Sequence, residues 1–210
     1  MNILILTNGE YGDYTFCKEY EQYNYIICAD NGMKHARKLG ICPDEIMGDF
    51  DSCNLEDLEY FKSEGVAIKE VPCEKDETDT ELALDTAISM GATKVHIWGG
   101  LGTRMDHSLA NIHLLYKALK NNVEVILYSH HHKLRLIKDH IILKGEVGDL
   151  VSLIPFTPTV TGVTTKNLAY ALEEAVFEIG KPYGVSNYMT EKVAEVHIKE
   201  GVLIVMQVAE

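Results

Sequence analysis

Two aspartates separated by one residue, Asp49 and Asp51, occur in Gly48-Asp49-Phe50-Asp51-Ser52, directly after the apolar Ile46-Met47. In extended chain, residues two apart point the same way. This reading sets both carboxylates side by side and turns Phe50 to the core. Adjacent anions repel unless a cation lies between them, and hard oxygen donors suit Mg²⁺. The alternative is a pair of solvated loop acids ahead of a helix that begins near Asn54.

A second acidic run, Glu74-Lys75-Asp76-Glu77-Thr78-Asp79-Thr80-Glu81, follows another apolar segment. Thr78-x-x-Glu81 reads as a capping box, and an early Asp suits the positive end of a helix dipole. Capping alone requires neither Lys75 nor Asp76. Gly99-Gly100-Leu101-Gly102-Thr103-Arg104-Met105-Asp106-His107 is a third cluster. Its glycines let backbone approach a ligand, amides at a helix start attract anions, and Arg104 offers a planar fork to phosphate oxygens. A plain turn capped by Asp106 is the competing reading. Neither a dinucleotide fingerprint nor a G-x-x-x-x-G-K-[ST] loop is present. Asp30, in Cys28-Ala29-Asp30-Asn31-Gly32, is placed to accept from a ribose or simply to open a tight turn.

These residues need a frame that gathers strand ends. Residues 3–6, 25–29, 45–47, 66–71, 94–98 and 123–128 read as short β-branched strands. Leu55, Leu58 and Phe61 share a helical face, as do Leu82, Ala83, Ala87 and Met90, and then Leu109, Ile112, Tyr116 and Leu119. Alternating strands and helices predict a mostly parallel sheet covered on both faces, whose ligands collect at the carboxyl ends of its strands. Beyond Ser129-His130-His131-His132 the pattern becomes short strands with Gly, Pro or charged turns, which predicts an antiparallel β-sandwich. The expected division is an α/β domain over 1–129 and a β-sandwich domain over 130–210. Residues 168–180 fit a strand or a helix start, and the three adjacent histidines read as a solvated linker.

Composition limits the partners. With 19 Lys+Arg against 32 Asp+Glu in 210 residues, the formal charge is −13. This argues against nucleic acid and anionic membranes, which need clustered cations. An anionic substrate is still accommodated if a divalent metal supplies positive charge locally. No stretch approaches the roughly 18 apolar residues that span a bilayer, and the apolar run at the N-terminus is too short for the core of a signal peptide. Five cysteines without a C-x-x-C pair predict neither zinc nor a disulfide framework, and fit a reducing cytoplasm. Cys28, Cys42, Cys53 and Cys73 read as small buried hydrophobes.

Taken in order, A-D-x-G at residues 29–32, G-D-F-D-S at 48–52, K-D-x-T-D at 75–79, G-G-x-G-x-R-x-D-H at 99–107 and the late pair Ser186-Asn187 resemble the thiamine pyrophosphokinase family over nearly the whole chain. Asn31 stands where the family's commoner turn has a second glycine, and residues 166–172 follow its G-L-x-Y-P-L run only loosely. The resemblance implies an N-terminal Rossmann-like domain, a C-terminal β-sandwich for thiamine binding and dimerisation, and a homodimer with active sites between subunits. It implies transfer of diphosphate from ATP to thiamine with Mg²⁺, giving AMP and thiamine diphosphate. Carried over by position, Asp49, Asp51, Asp79 and Asp106 form the metal cluster, and Asp51, Asp79, Arg104 and Asp106 serve the reaction. Asp30, Asn31, Lys75, Asp76, Thr78, Gly100, Gly102, Arg104 and His107 face ATP, while Asp51, Ser186 and Asn187 face thiamine. An Mg-dependent nucleotide phosphohydrolase and a non-catalytic thiamine or nucleotide sensor are the alternatives.

Overall fold

Strands buried on both faces must be apolar throughout, and the first half of the chain obeys that rule. In the computed structural model, which describes residues 1–18, 22–51 and 53–208, the strands of this half are β1 (Asn2–Leu6), β2 (Tyr25–Ala29), β3 (Glu45–Gly48), β4 (Ala67–Glu70), β5 (Lys94–Trp98) and β6 (Glu124–Tyr128), all largely buried except β4, which is mostly exposed at the sheet edge. They pair in parallel in the order β4-β3-β2-β1-β5-β6. Helices α1 (Gly32–Leu39), α2 (Leu55–Ser63), α3 (Asp79–Ser89) and α4 (Met105–Lys120) make four of the crossovers. Strand order reverses direction between β1 and β5, so a crevice opens at their carboxyl ends.

Alternate residues of the strands enter one core. Leu4, Leu6, Ile26, Cys28, Ile46 and Trp98 pack with Met33 and Ala36 of α1 and with Leu58 and Phe61 of α2. The intervening Ile3, Ile5, Ile27 and Ile97 are equally buried on the other face, where α3 lies against β1, β2 and β3. Trp98 packs within the sheet, edge-on to Phe16. Gly40, Gly65 and Gly91 follow α1, α2 and α3 with positive φ, as helix ends in the left-handed region require.

The chain divides into compact units Met1–His130 and His131–Glu210. In the second, β7 (His132–Ile137), β9 (Leu150–Pro155), β12 (Gly184–Tyr188) and β14 (Leu203–Val208) form an antiparallel array ordered β12-β9-β14-β7. Strands β8 (His140–Lys144), β10 (Thr159–Lys166), β11 (Ala175–Glu178) and β13 (Val193–His197) form another, ordered β11-β10-β13-β8. Val151, Leu153, Leu203 and Val205 from the first meet Leu143, Val160, Val163, Phe177 and Val196 from the second in one core. The expected sandwich is therefore present. The ambiguous residues 168–180 hold no helix, because residues 175–178 pair with β10 across a register shift between Val160 and Val163.

Three local expectations change. The three histidines are not a loose linker: His132 begins β7, and His130 Nδ1 lies 3.1 Å from Asp13 Oδ1. Cys42 and Cys73 are exposed, while Cys17 and Cys28 are buried. The capping box over Thr78 is half formed. Thr78 Oγ1 accepts from Glu81 N, but the Glu81 carboxylate turns to Lys117 of α4 at 3.0 Å.

Candidate active site

β3 stops at Gly48, before the aspartates. Phe50 takes φ +57° and packs against the core shared with α1 and α2. Asp51 N donates to Asp49 Oδ1 at 3.2 Å, a turn closed by the aspartate side chain. The two carboxylates thus come together through a turn rather than through strand alternation. Their ligand oxygens lie within 4.8 Å of each other and of Cys73 Sγ. Among the described residues this is the one such group of three; Asp79 and Asp106 do not join it. Ser52 lies outside the described residues.

A cavity of about 730 Å³ opens at the strand ends of the first unit. Asp30, Asp49, Lys75, Thr78 and Asp79 line one part, and Gly100, Gly102, Arg104 and His107 another. Asn31, Asp51, Asp76 and Asp106 are not among its walls. Asn31 instead precedes α1 as its N-cap residue. Thr7, Asn8, Gly9 and Glu10, immediately after β1, add to the wall, and no motif in the sequence marked them. Only the position of β1 at the switch point brings them in. A Cβ on Gly9 would lie 1.7 Å from Gly99 O, so the loops after β1 and β5 touch backbone to backbone.

Electrostatics divide the acids. Burial pushes the Asp30 carboxyl up, a backbone hydrogen bond from Asn31 opposes this, and the charges of Asp79, Asp49 and Asp51 add to the rise. Its Oδ1 is buried without a hydrogen-bond partner. Asp79 holds Lys75 Nζ at 2.8 Å. Desolvation works against the Lys75 charge, but the hydrogen bond and charge of Asp79, with that of Asp49, outweigh it and raise its pKa. Arg104 binds Asp106 through Nε at 3.2 Å and Nη2 at 2.5 Å. That hydrogen bonding holds Asp106 down at about 2. The arrangement has the donors for a hard divalent cation: Asp49 and Asp51 are brought together, and the charges of Asp79, Asp49 and Asp51 act on the Asp30 carboxyl.

In the second unit Ser186 is exposed and takes φ +60°. Asn187 is buried and committed to its own chain. Its Oδ1 accepts from Tyr170 N and Tyr188 N, and its Nδ2 donates to Tyr170 O, each at 2.9 Å. Asn187 therefore fixes the backbone beneath Tyr170, whose exposed ring stands edge-on to Tyr188.

The family model described as "Thiamin pyrophosphokinase, catalytic domain" matches residues 16–127, and that described as "Thiamin pyrophosphokinase, vitamin B1 binding domain" matches residues 139–203. The chain is 29% identical over 189 residues to a thiamine pyrophosphokinase of Bacillus subtilis (strain 168), covering 89% of this chain and 88% of that protein. Its structure is similar to a crystal structure of thiamine pyrophosphokinase from Bacillus subtilis, with a TM-score of 0.91, 26% identity and all of both chains covered. For thiamin pyrophosphokinase from Geobacillus thermodenitrificans the TM-score is 0.86 at 25% identity, covering 100% of this chain and 98% of that one. With two consecutive domains matched and the acidic cavity inside the first, the chain belongs to the thiamine pyrophosphokinase family.

Proposed function

We propose that this protein transfers the diphosphate of ATP to the hydroxyethyl group of thiamine, giving thiamine diphosphate and AMP. The observation that carries the reading is the cavity at the switch point, where aspartates that follow β2, β3 and β4 meet a glycine-rich loop bearing Arg104. Membership of the family supports the same reaction.

The hydroxyl oxygen of thiamine bonds to the β-phosphorus of ATP as the bond from that phosphorus to the bridging oxygen of AMP breaks, and the hydroxyl proton is lost to water. Such transfer needs alignment and charge neutralisation more than covalent help from the protein. Asp49 and Asp51 would hold Mg²⁺, with Asp79 and Asp106 on the surrounding rim; the ion supplies neutralisation of the phosphate charge when bound. Arg104 offers its fork to the transferring group once it leaves Asp106. Lys75, Thr78, Gly100 and His107 line the path of the polyphosphate, with Asp30 toward the nucleoside. Ser186 and the Tyr170–Tyr188 pair, braced by Asn187, serve thiamine, and the assembly is a homodimer with its active sites at the subunit interface.

Product analysis with ATP, MgCl₂ and thiamine tests this. AMP and thiamine diphosphate in equal amounts are expected. Phosphate release independent of thiamine would replace the reading with a phosphohydrolase, and binding without products would replace it with a sensor.

A further inference from the structure

The loop that bears Arg104 is held by one face of α4, whose Ser108 and Asn111 also line the cavity. Gly102 N–H donates to Ser108 Oγ at 3.1 Å, and the Ser108 hydroxyl lies 3.1 Å from Arg104 O and 3.3 Å from Gly102 O. Asn111 Nδ2 donates to Gly100 O at 2.7 Å. Ser108 and Asn111 are three residues apart, which places them on the same side of the helix. Both are buried, while Met105, Asp106, His107, Leu109 and Ala110 around them are exposed. Serine and asparagine are weak helix formers because their side chains compete for backbone groups. Here the groups they bind belong to the loop, or to Arg104 at its end.

This bonding also decides what the loop presents. The Gly102 amide is spent on Ser108, so it faces the helix rather than a ligand. Gly100 sits close against the sheet, where an added Cβ would lie 2.8 Å from Leu127 Cδ2. Arg104 has no side-chain cap to fix it at the start of α4, and its carbonyl accepts from both the backbone N–H and the hydroxyl of Ser108, each at 3.1 Å.

We infer that Ser108 and Asn111 are positioning residues for the nucleotide, holding residues 100–104 in the shape that receives polyphosphate. The inference rests on the function proposed above. Neither side chain needs to touch the reacting atoms. Loss of the Ser108 hydroxyl frees the Gly102 amide and leaves Arg104 O with its helical bond from Ser108 N alone, and displacement of a binding group by about 1 Å is enough to cost rate and affinity.

The test uses the full chain. The dissociation constant for ATP with MgCl₂ is measured by calorimetry, kcat and both KM values by product analysis, and folding by thermal melting. Ser108→Ala is expected to weaken ATP binding and raise the ATP KM by about tenfold, the scale of a misplaced contact, with the thiamine KM unchanged. Ser108→Thr, which keeps the hydroxyl, restores both. Asn111→Leu repeats the nucleotide-side effect from the other bond. Unchanged ATP binding in Ser108→Ala overturns the inference. A parallel rise in both KM values, or a Thr variant as impaired as the Ala variant, also overturns it, because either marks a general structural role. A wild-type protein that neither binds nor turns over ATP removes the functional reading and this inference together; one that does both while Ser108→Ala matches it removes only the inference.

Discussion

Arg104 and Lys75 each hold an aspartate, but in different settings. The Lys75–Asp79 pair is largely covered, with side-chain exposures of 13% and 26%, whereas Arg104 and Asp106 are 69% and 64% exposed. Exposed pairs contribute little to stability, so Arg104 is free to exchange its carboxylate for phosphate. Arg104→Lys keeps the charge but loses the bidentate fork. Kinetics on that variant should show turnover reduced by about 100-fold, the scale of one lost electrostatic donor, with an unchanged melting temperature. Turnover within a few-fold of wild type would remove Arg104 from the reaction. His35 makes a separate residue-scale prediction. It is stacked on Tyr11 with ring centroids 3.7 Å apart, and burial, aided by the charge of Lys34, pushes its pKa down to about 4. An unfolded histidine titrates near about 6.5. Between those values the unfolded chain takes up a proton that the folded one refuses, so stability falls as pH drops. Asp30 has the opposite sign, since a raised carboxyl binds its proton more readily in the folded state. The melting temperature of wild type should therefore fall from pH 7 to pH 5, and His35→Phe should flatten the slope; equal slopes would show that His35 does not set it.

At the scale of elements, the cavity depends on two loops meeting without side chains between them. Thr7 N and Oγ1 and the Tyr11 hydroxyl all donate to Trp98 O, at 2.9, 3.0 and 2.9 Å, which ties the segment after β1 to the end of β5. Gly9→Ala forces a methyl into Gly99 O, and only backbone movement relieves that. Nucleotide affinity should drop in this variant while helix content by circular dichroism stays the same. Wild-type affinity would mean that the loop contact does not shape the site. The parallel strands were legible because double burial leaves a continuous apolar run, as in Ile3-Leu4-Ile5-Leu6. The turn at Phe50 was not. Strand alternation and an aspartate-closed turn both bring Asp49 near Asp51, and only the backbone at Phe50 distinguishes them. β12 is hard to read from sequence for a related reason: a residue at positive φ, Ser186, interrupts its pairing with β9. Long-range pairing, which one segment's sequence does not encode, decided residues 168–180 as well.

At the scale of the whole molecule, the order of the motifs was legible while their spatial grouping was only partly so. Asp49 and Asp51 meet with Cys73, an exposed thiol that had read as a buried hydrophobe, while Asp79 and Asp106 are each engaged by a cation close in sequence. Local ion pairs of this kind form wherever a basic residue sits within reach, and charge type alone does not say which acids remain open to a metal. The balance of −13 adds a general repulsion that any salt relieves, so a specific metal site must be separated from screening. A cation bound by the folded chain alone stabilises it by RT ln(1 + [L]/Kd), about 2.7 kcal/mol at a hundredfold excess over Kd. In melts at constant ionic strength, MgCl₂ should raise the wild-type midpoint along a saturable curve, whereas substituting NaCl should not. Asp49→Asn and Asp51→Asn should each raise the metal-free midpoint slightly, by relieving repulsion, and lose most of the response to Mg²⁺. If both variants respond to Mg²⁺ as wild type does, the ion acts on the diffuse charge of the surface, and the pair at the end of β3 is not its site.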